Sequence, residues 1–104
     1  MNGRVKILFV IVKETDTWND GPLYAAIVQR LRQLEAAGAT VHAGIMGFGR
    51  HHRVHHKGLF GIADDRAITI VAVDTEAKLR AILPELRSMT RDGLVLLMDG
   101  EAIP

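Results

Sequence analysis

Cysteine is absent from the 104 residues, which excludes disulfide staples, thiolate metal sites and a catalytic thiol. A chain without cysteine suits the reducing cytoplasm, and a cytoplasmic protein is the expectation. Aromatic residues are scarce at 5%: three Phe, one Tyr and Trp18 alone. A long hydrophobic run is missing too. The most apolar stretch near the N-terminus, Ile7 to Val12, is far short of the ~20 residues that a membrane helix needs. Arg4 and Lys6 precede it in the manner of a secretion signal, but Lys13 and Glu14 end it and no small-residue cleavage site follows. It reads as a buried strand. An excess of either charge is also lacking: thirteen Lys+Arg against twelve Asp+Glu give +1. That balance argues against a generally basic nucleic-acid binder and against an acidic tail.

What is present is apolar and patterned. Hydrophobic residues make up 48% and charged residues 24%, too apolar for a disordered chain, and the length supports a single domain over residues 1–104. Val5 to Val12 is short and β-branched, which predicts a strand. Thr15 to Gly21 is turn chemistry, and Pro22 suits the first position of a helix. From there Leu23, Ile27, Leu31 and Leu34 recur on one face, with Gly38 as the expected stop. Ala39 to Met46 predicts a second strand. A nineteen-residue connection from Phe48 to Arg66 follows, the longest irregular segment. Ala67 to Val73 predicts a third strand, and Asp74 and Thr75 are candidate caps for a second helix carrying Leu79, Ile82, Leu83, Leu86 and Met89. Pro84 within that pattern predicts a kink or a late start. Asp92-Gly93 turns the chain into a fourth strand, Leu94 to Met98.

The order βαββαβ predicts an α+β ferredoxin-like sandwich, with two helices on one face of a four-stranded antiparallel sheet. The strands are apolar on both sides. Val5, Ile7, Phe9 and Ile11 alternate with Leu8, Val10 and Val12; Ile68, Ile70 and Ala72 with Val71 and Val73; and Leu94, Leu96 and Met98 with Val95 and Leu97. Two helices can cover only one face. An uncovered apolar face of several hundred Å² exceeds what monomers usually tolerate, so the second face is expected to be buried between subunits.

The near-neutral total conceals one concentrated segment. Arg50 to Lys57 (RHHRVHHK) holds three basic residues, no acid and four of the five histidines, leaving ten basic against twelve acidic groups elsewhere.

Several stretches together resemble a known family. Glu14-x-Asp16-x-Trp18, Gly21-Pro22-Leu23-Tyr24, Ala37-Gly38-Ala39-Thr40-Val41, Gly47-Phe48-Gly49, Arg53-Val54-His55 and Val73-Asp74 look like the bacterial and archaeal domain of unknown function 190. They occur in order from about Val5 to Ile103. That family is similar in fold to the P-II signalling proteins, ferredoxin-like subunits that form trimers with their sheets facing inward. The resemblance implies a homotrimer and a regulatory or binding role without an established reaction. Family members tend to be encoded beside small fluoride-exporting channels, which implies a membrane channel or transporter as partner.

The Phe48–Arg66 connection sits where P-II proteins carry their mobile effector loop. Gly44, Gly47 and Gly49 form a neck before it whose amides could approach a phosphate, although GxxGxG ahead of a basic loop is not a dinucleotide fingerprint. The candidate ligand site comprises Gly47, Phe48, Gly49, Arg50, Arg53, His55 and Lys57, for a small anionic or nucleotide-like effector, with adenine nucleotide the cofactor that the P-II likeness implies. Trp18 is read either as a ring stacking in that cleft or as a cap on the core. The loop has no tyrosine, so regulation by tyrosine nucleotidylation on it is not supported.

His51, His52, His55 and His56 offer a second chemistry, divalent metal binding. On a helix, His51/His55 and His52/His56 would be i,i+4 pairs, and a trimer axis could gather one histidine per subunit. Arg50, Arg53 and Lys57 oppose a cation there. Asp64-Asp65-Arg66 reads as a turn in preference to an internal salt link or a set of lid residues. The RNA-recognition module shares the βαββαβ order, but it stacks bases on first- and third-strand aromatics, of which only Phe9 is present, so no nucleic-acid partner is expected. No catalytic motif is recognised, and the chain is not expected to be an enzyme; a small ferredoxin-like enzyme with His55 as base is the remaining catalytic alternative.

Overall fold

The computed structural model describes residues 2–48, 54–56 and 65–104, the middle stretch by its backbone. Among the described residues the elements follow in the order β1 (Gly3–Lys13), β2 (Thr17–Trp18), β3 (Gly21–Pro22), α1 (Leu23–Gln33), β4 (Ala39–Ala43), β5 (Met46–Phe48), β6 (Val54–His56), β7 (Ala67–Asp74), α2 (Glu76–Met89) and β8 (Leu94–Ala102). The main sheet runs β4-β7-β1-β8 and is antiparallel throughout. Together with the two helices this is the expected ferredoxin-like sandwich.

Register fixes which side chains share a face. Ile7 pairs with Val73 and Met98, Phe9 with Val71 and Leu96, and Ile11 with Thr69 and Leu94. The alternate residues Leu8, Val10 and Val12, with Ile68, Ile70 and Ala72, are buried against Leu23, Ile27 and Leu31 of α1 and Leu79, Ile82, Leu86 and Met89 of α2. The helices therefore cover one face only. On the other, Leu94, Leu96 and Met98 are 50%, 41% and 50% exposed, an apolar surface left uncovered by the described residues.

Helix boundaries depart from expectation for local reasons. Pro22 is the N-cap of α1 rather than its first residue, with φ −64° and ψ 133°. The helix ends before Gly38: Glu35 takes the left-handed conformation at φ 63°, its N–H donates to the Arg32 carbonyl, and the Ala36 N–H donates to that of Leu31. This is a Schellman closure built on a glutamate. Helix α2 starts at Glu76, so the late start allowed for Pro84 does not occur. Pro84 lies on the exposed side of the helix, where water can solvate the Arg80 carbonyl left without a donor. Thr75 caps α2 by accepting from the Lys78 N–H. The buried Asp74 carboxylate serves a different purpose, accepting from the N–H groups of Ala37 at 2.9 Å and Thr75 at 2.7 Å, and so pins the α1–β4 turn to the end of β7.

The second strand is shorter than expected. It leaves the sheet after Ala43, and Met46–Phe48 pairs instead with Val54–His56 in a small hairpin. The connection expected to be irregular from Phe48 to Arg66 thus contains ordered strand.

Candidate functional site

Three connections emerge at one end of the sheet. Lys13 of β1 pairs with Ala67 of β7, Ile11 with Leu94 of β8, and Ala43 of β4 with Ile68 of β7. The turn after β1 (residues 14–22), the long connection (44–66) and the turn before β8 (90–93) therefore share that end.

The entry of the long connection is held by the Gly44 N–H, which donates to the Ala67 carbonyl at 2.8 Å. A Cβ on Gly44 would stand 3.3 Å from that carbonyl oxygen, so a side chain fits there only if its neighbour yields. Beyond it, Gly47 faces His55 and Phe48 faces Val54 across the β5–β6 ladder. Two of the candidate ligand residues, Gly47 and His55, are thus brought together in backbone register. Ile45, Met46 and Phe48 are 77%, 70% and 66% exposed, an apolar collar at the neck. Gly49, Arg50, His51, His52, Arg53 and Lys57 lie outside the described residues. His55 and His56 occupy strand backbone, which removes the helical i,i+4 spacing considered for the histidine pairs at that half of each pair. Among the described residues, no group of three or more His, Asp or Glu side chains is arranged to hold a metal ion.

The exit of the connection is strapped to the turn after β1. The Glu14 N–H donates to the Arg66 carbonyl at 2.8 Å, and Arg66 Nη2 donates to Glu14 Oε2 at 2.6 Å. The Thr15 hydroxyl donates to Asp65 Oδ1 at 2.7 Å. Asp65 and Arg66, expected as a simple turn, are therefore a cross-connection. Sequence reasoning missed this strap because its partners are separated by 50 residues or more and carry no spacing signal. The one pointer was the company of Glu14 and Asp16 in a single motif.

Trp18 lies at the rim of the core, outside the buried cluster but beside its Leu23 and Met89. Its strand β2 folds back on β3 across Asn19 and Asp20, both left-handed at φ 48° and 67°. Two consecutive positive φ values make the two-residue hairpin turn whose twist matches its strands, and Asn and Asp tolerate it best after glycine. The ring is 39% exposed and borders a shallow cleft of about 370 Å³ with Leu23, Met89, Arg91, Asp92 and Gly93. That volume falls at the small end of ligand pockets. The 90–93 turn on its far side is fixed by Arg87, whose Nη1 donates to the Thr90 carbonyl at 2.9 Å. Gly93 has no room for a side chain without a shift: a Cβ would stand 2.8 Å from the Ile11 carbonyl oxygen and 3.1 Å from Val12 Cγ1.

Away from this end, Arg30 of α1 grips Glu85 of α2 with both Nε and Nη2, the latter at 2.9 Å from Oε1. The guanidinium holds the Glu85 carboxyl below its usual range and is itself raised. Asp99 is likewise lowered by its hydrogen bond from Lys6, at the end of the sheet remote from the loops.

Residues 5–102 match the model of DUF190, described as an uncharacterized ACR. The chain belongs to the DUF190 family. A UPF0166 protein of Aquifex aeolicus is 26% identical over 98 residues, covering 94% of this chain and 92% of that protein. A UPF0166 protein of Methanocaldococcus jannaschii is 29% identical over 97 residues, covering 92% and 89%. Among solved structures, CPII, a nitrogen regulatory PII-like protein from Thiomonas intermedia K12 bound to ADP, AMP and bicarbonate, superposes with a TM-score of 0.70 at 20% identity. The overlap covers 95% of this chain and 88% of that one. CPII bound to ADP, AMP and acetate gives a TM-score of 0.67 at 18% identity, over 100% and 93% of the two chains. The DUF190 chain described here therefore has the P-II-like fold. No helix among its described residues is long and apolar enough to cross a membrane.

Proposed function

We propose that this DUF190 protein is a P-II-type regulator whose subunits bury their apolar sheet faces in a trimer. It binds an adenine nucleotide or small anion at the subunit clefts and acts on its partner through the basic Arg50–Lys57 segment. The observation that carries this reading is the coincidence, at one end of the sheet, of a glycine neck, a strapped loop exit and the turn before β8, beside a sheet face left apolar by Ile7, Phe9, Val71, Leu94, Leu96 and Met98. The ligands bound to CPII supply the effector class. A membrane channel or transporter is the partner class, on the strength of the family resemblance.

Calorimetric titration with ADP, AMP, ATP and cyclic AMP tests the effector. Saturable heat with at least one nucleotide, weakened by Arg50→Ala or Arg53→Ala, is the expected result. Flat titrations across the panel overturn the reading.

A further inference from the structure

The strap at the loop exit leaves one donor unused. Arg66 meets Glu14 through Nη2, which donates to Oε2 at 2.6 Å, although Nε and Nη2 together form an edge that can match a carboxylate bidentately. Nε is buried and has no hydrogen-bond partner among the described residues. A buried donor without a partner is costly, and native proteins seldom leave one except where something else is meant to take it. The pair is three-quarters shielded, with side-chain exposures of 23% and 25% for Arg66 and Glu14, so an anion reaching the guanidinium would meet it largely desolvated.

The backbone around the strap is independent of this side-chain contact. The Glu14 N–H to Arg66 carbonyl bond continues the β1–β7 ladder, and the Thr15–Asp65 bond stands beside it. The Glu14 carboxylate can therefore swing out without unzipping the sheet. Its departure would remove a side-chain tie from the turn that also carries Asp16, whose carbonyl holds the first N–H of α1, and then the Trp18 hairpin.

We propose that Arg66 is an oxyanion-binding residue and that Glu14 is its resident placeholder. A planar oxyanion of the carboxylate or bicarbonate class displaces the Glu14 carboxylate, occupies Nε and Nη2 together, and frees the turn that leads to Trp18. This rests on the anion-effector reading above and adds to it the anchoring residue and an autoinhibitory contact. Arg66 and Glu14 are distinct from the Arg50–Lys57 residues proposed there.

The test titrates the full-length protein with bicarbonate and with acetate at constant ionic strength, read by the fluorescence of the sole tryptophan, Trp18. Wild type should show a saturable change that matched chloride does not give. Glu14→Gln, which removes the competing charge while keeping the side-chain shape, should tighten binding about tenfold or more. Arg66→Lys, which keeps the charge but loses the fork, should weaken it by a similar factor. Unchanged or weaker binding in Glu14→Gln overturns the proposal, as does unchanged binding in Arg66→Lys. If Arg66→Lys does not melt cooperatively, the direction of the Glu14→Gln shift decides alone. Nucleotide titrations separate the two readings. Intact nucleotide binding with no oxyanion effect sinks this inference only, and an oxyanion effect without nucleotide binding sinks only the nucleotide assignment.

Discussion

Replacing Phe9 with glutamate should dissociate the proposed trimer while leaving the subunit folded. Phe9 sits at the centre of the uncovered face, between Val71 and Leu96 and flanked along its strand by Ile7 and Ile11. It is absent from the core against which the helices pack, so the change removes nothing the subunit needs internally. In the assembly the loss has two parts. Burying a phenyl side chain contributes about 2–3 kcal/mol, and a carboxylate stranded in the same place adds several kcal/mol. About 5 kcal/mol per subunit is a factor of several thousand in an association constant, enough to separate subunits at micromolar concentration. Sedimentation equilibrium reads the mass, and urea unfolding monitored at Trp18 reads the fold. The control is Leu8→Ala, one residue away on the helix-covered face and fully buried: it should cost about 2–5 kcal/mol of stability without changing the mass. A Phe9→Glu protein that remains fully assembled, or a wild type that sediments as a monomer, refutes the packing argument.

Three further outcomes follow from particular contacts. Gly93→Ala should destabilise the fold by about 1–3 kcal/mol in urea melts, because its Cβ would meet backbone at 2.8 Å and not a yielding side-chain tip. Glu35→Gly should raise stability by roughly 0.5–1 kcal/mol, since it relieves a left-handed glutamate at the α1 closure at some cost in unfolded-chain entropy; a lower melting temperature would contradict that assignment. The Arg30–Glu85 pair should stabilise only while Glu85 is charged. Its folded carboxyl is lowered from 4.5, so the contribution is complete above 4.5 and is lost as pH falls through the lower folded value. The stability difference between wild type and Glu85→Gln should shrink on acidification below 4.5, and a difference that grows would contradict the pairing.

The fold was legible where periodicity is long. Eight residues of alternating apolar strand in Val5–Val12 were enough to tell the two faces apart, and the apolar spacing from Leu23 to Leu34 located α1. Features set by one or two residues were less visible. Gly38 looked like the helix stop because glycine is the usual left-handed residue, but the chain closes three residues earlier on Glu35. A three-residue strand such as Met46–Phe48 has too little periodicity to be recognised, and its partner Val54–His56 lies inside the histidine-rich Arg50–Lys57 segment. At the site, the glycine neck was readable because glycine spacing is local. The Glu14–Arg66 and Thr15–Asp65 contacts were not, since their geometry exists only once β1 and β7 are paired.

Native mass spectrometry with ADP in the spray buffer tests the central claim most directly, because it reads assembly and effector in one spectrum. A species of about 34 kDa, three times the 11.4 kDa chain, carrying bound nucleotide, is the predicted result. A lone 11.4 kDa subunit without nucleotide would contradict both the buried sheet face and the effector site.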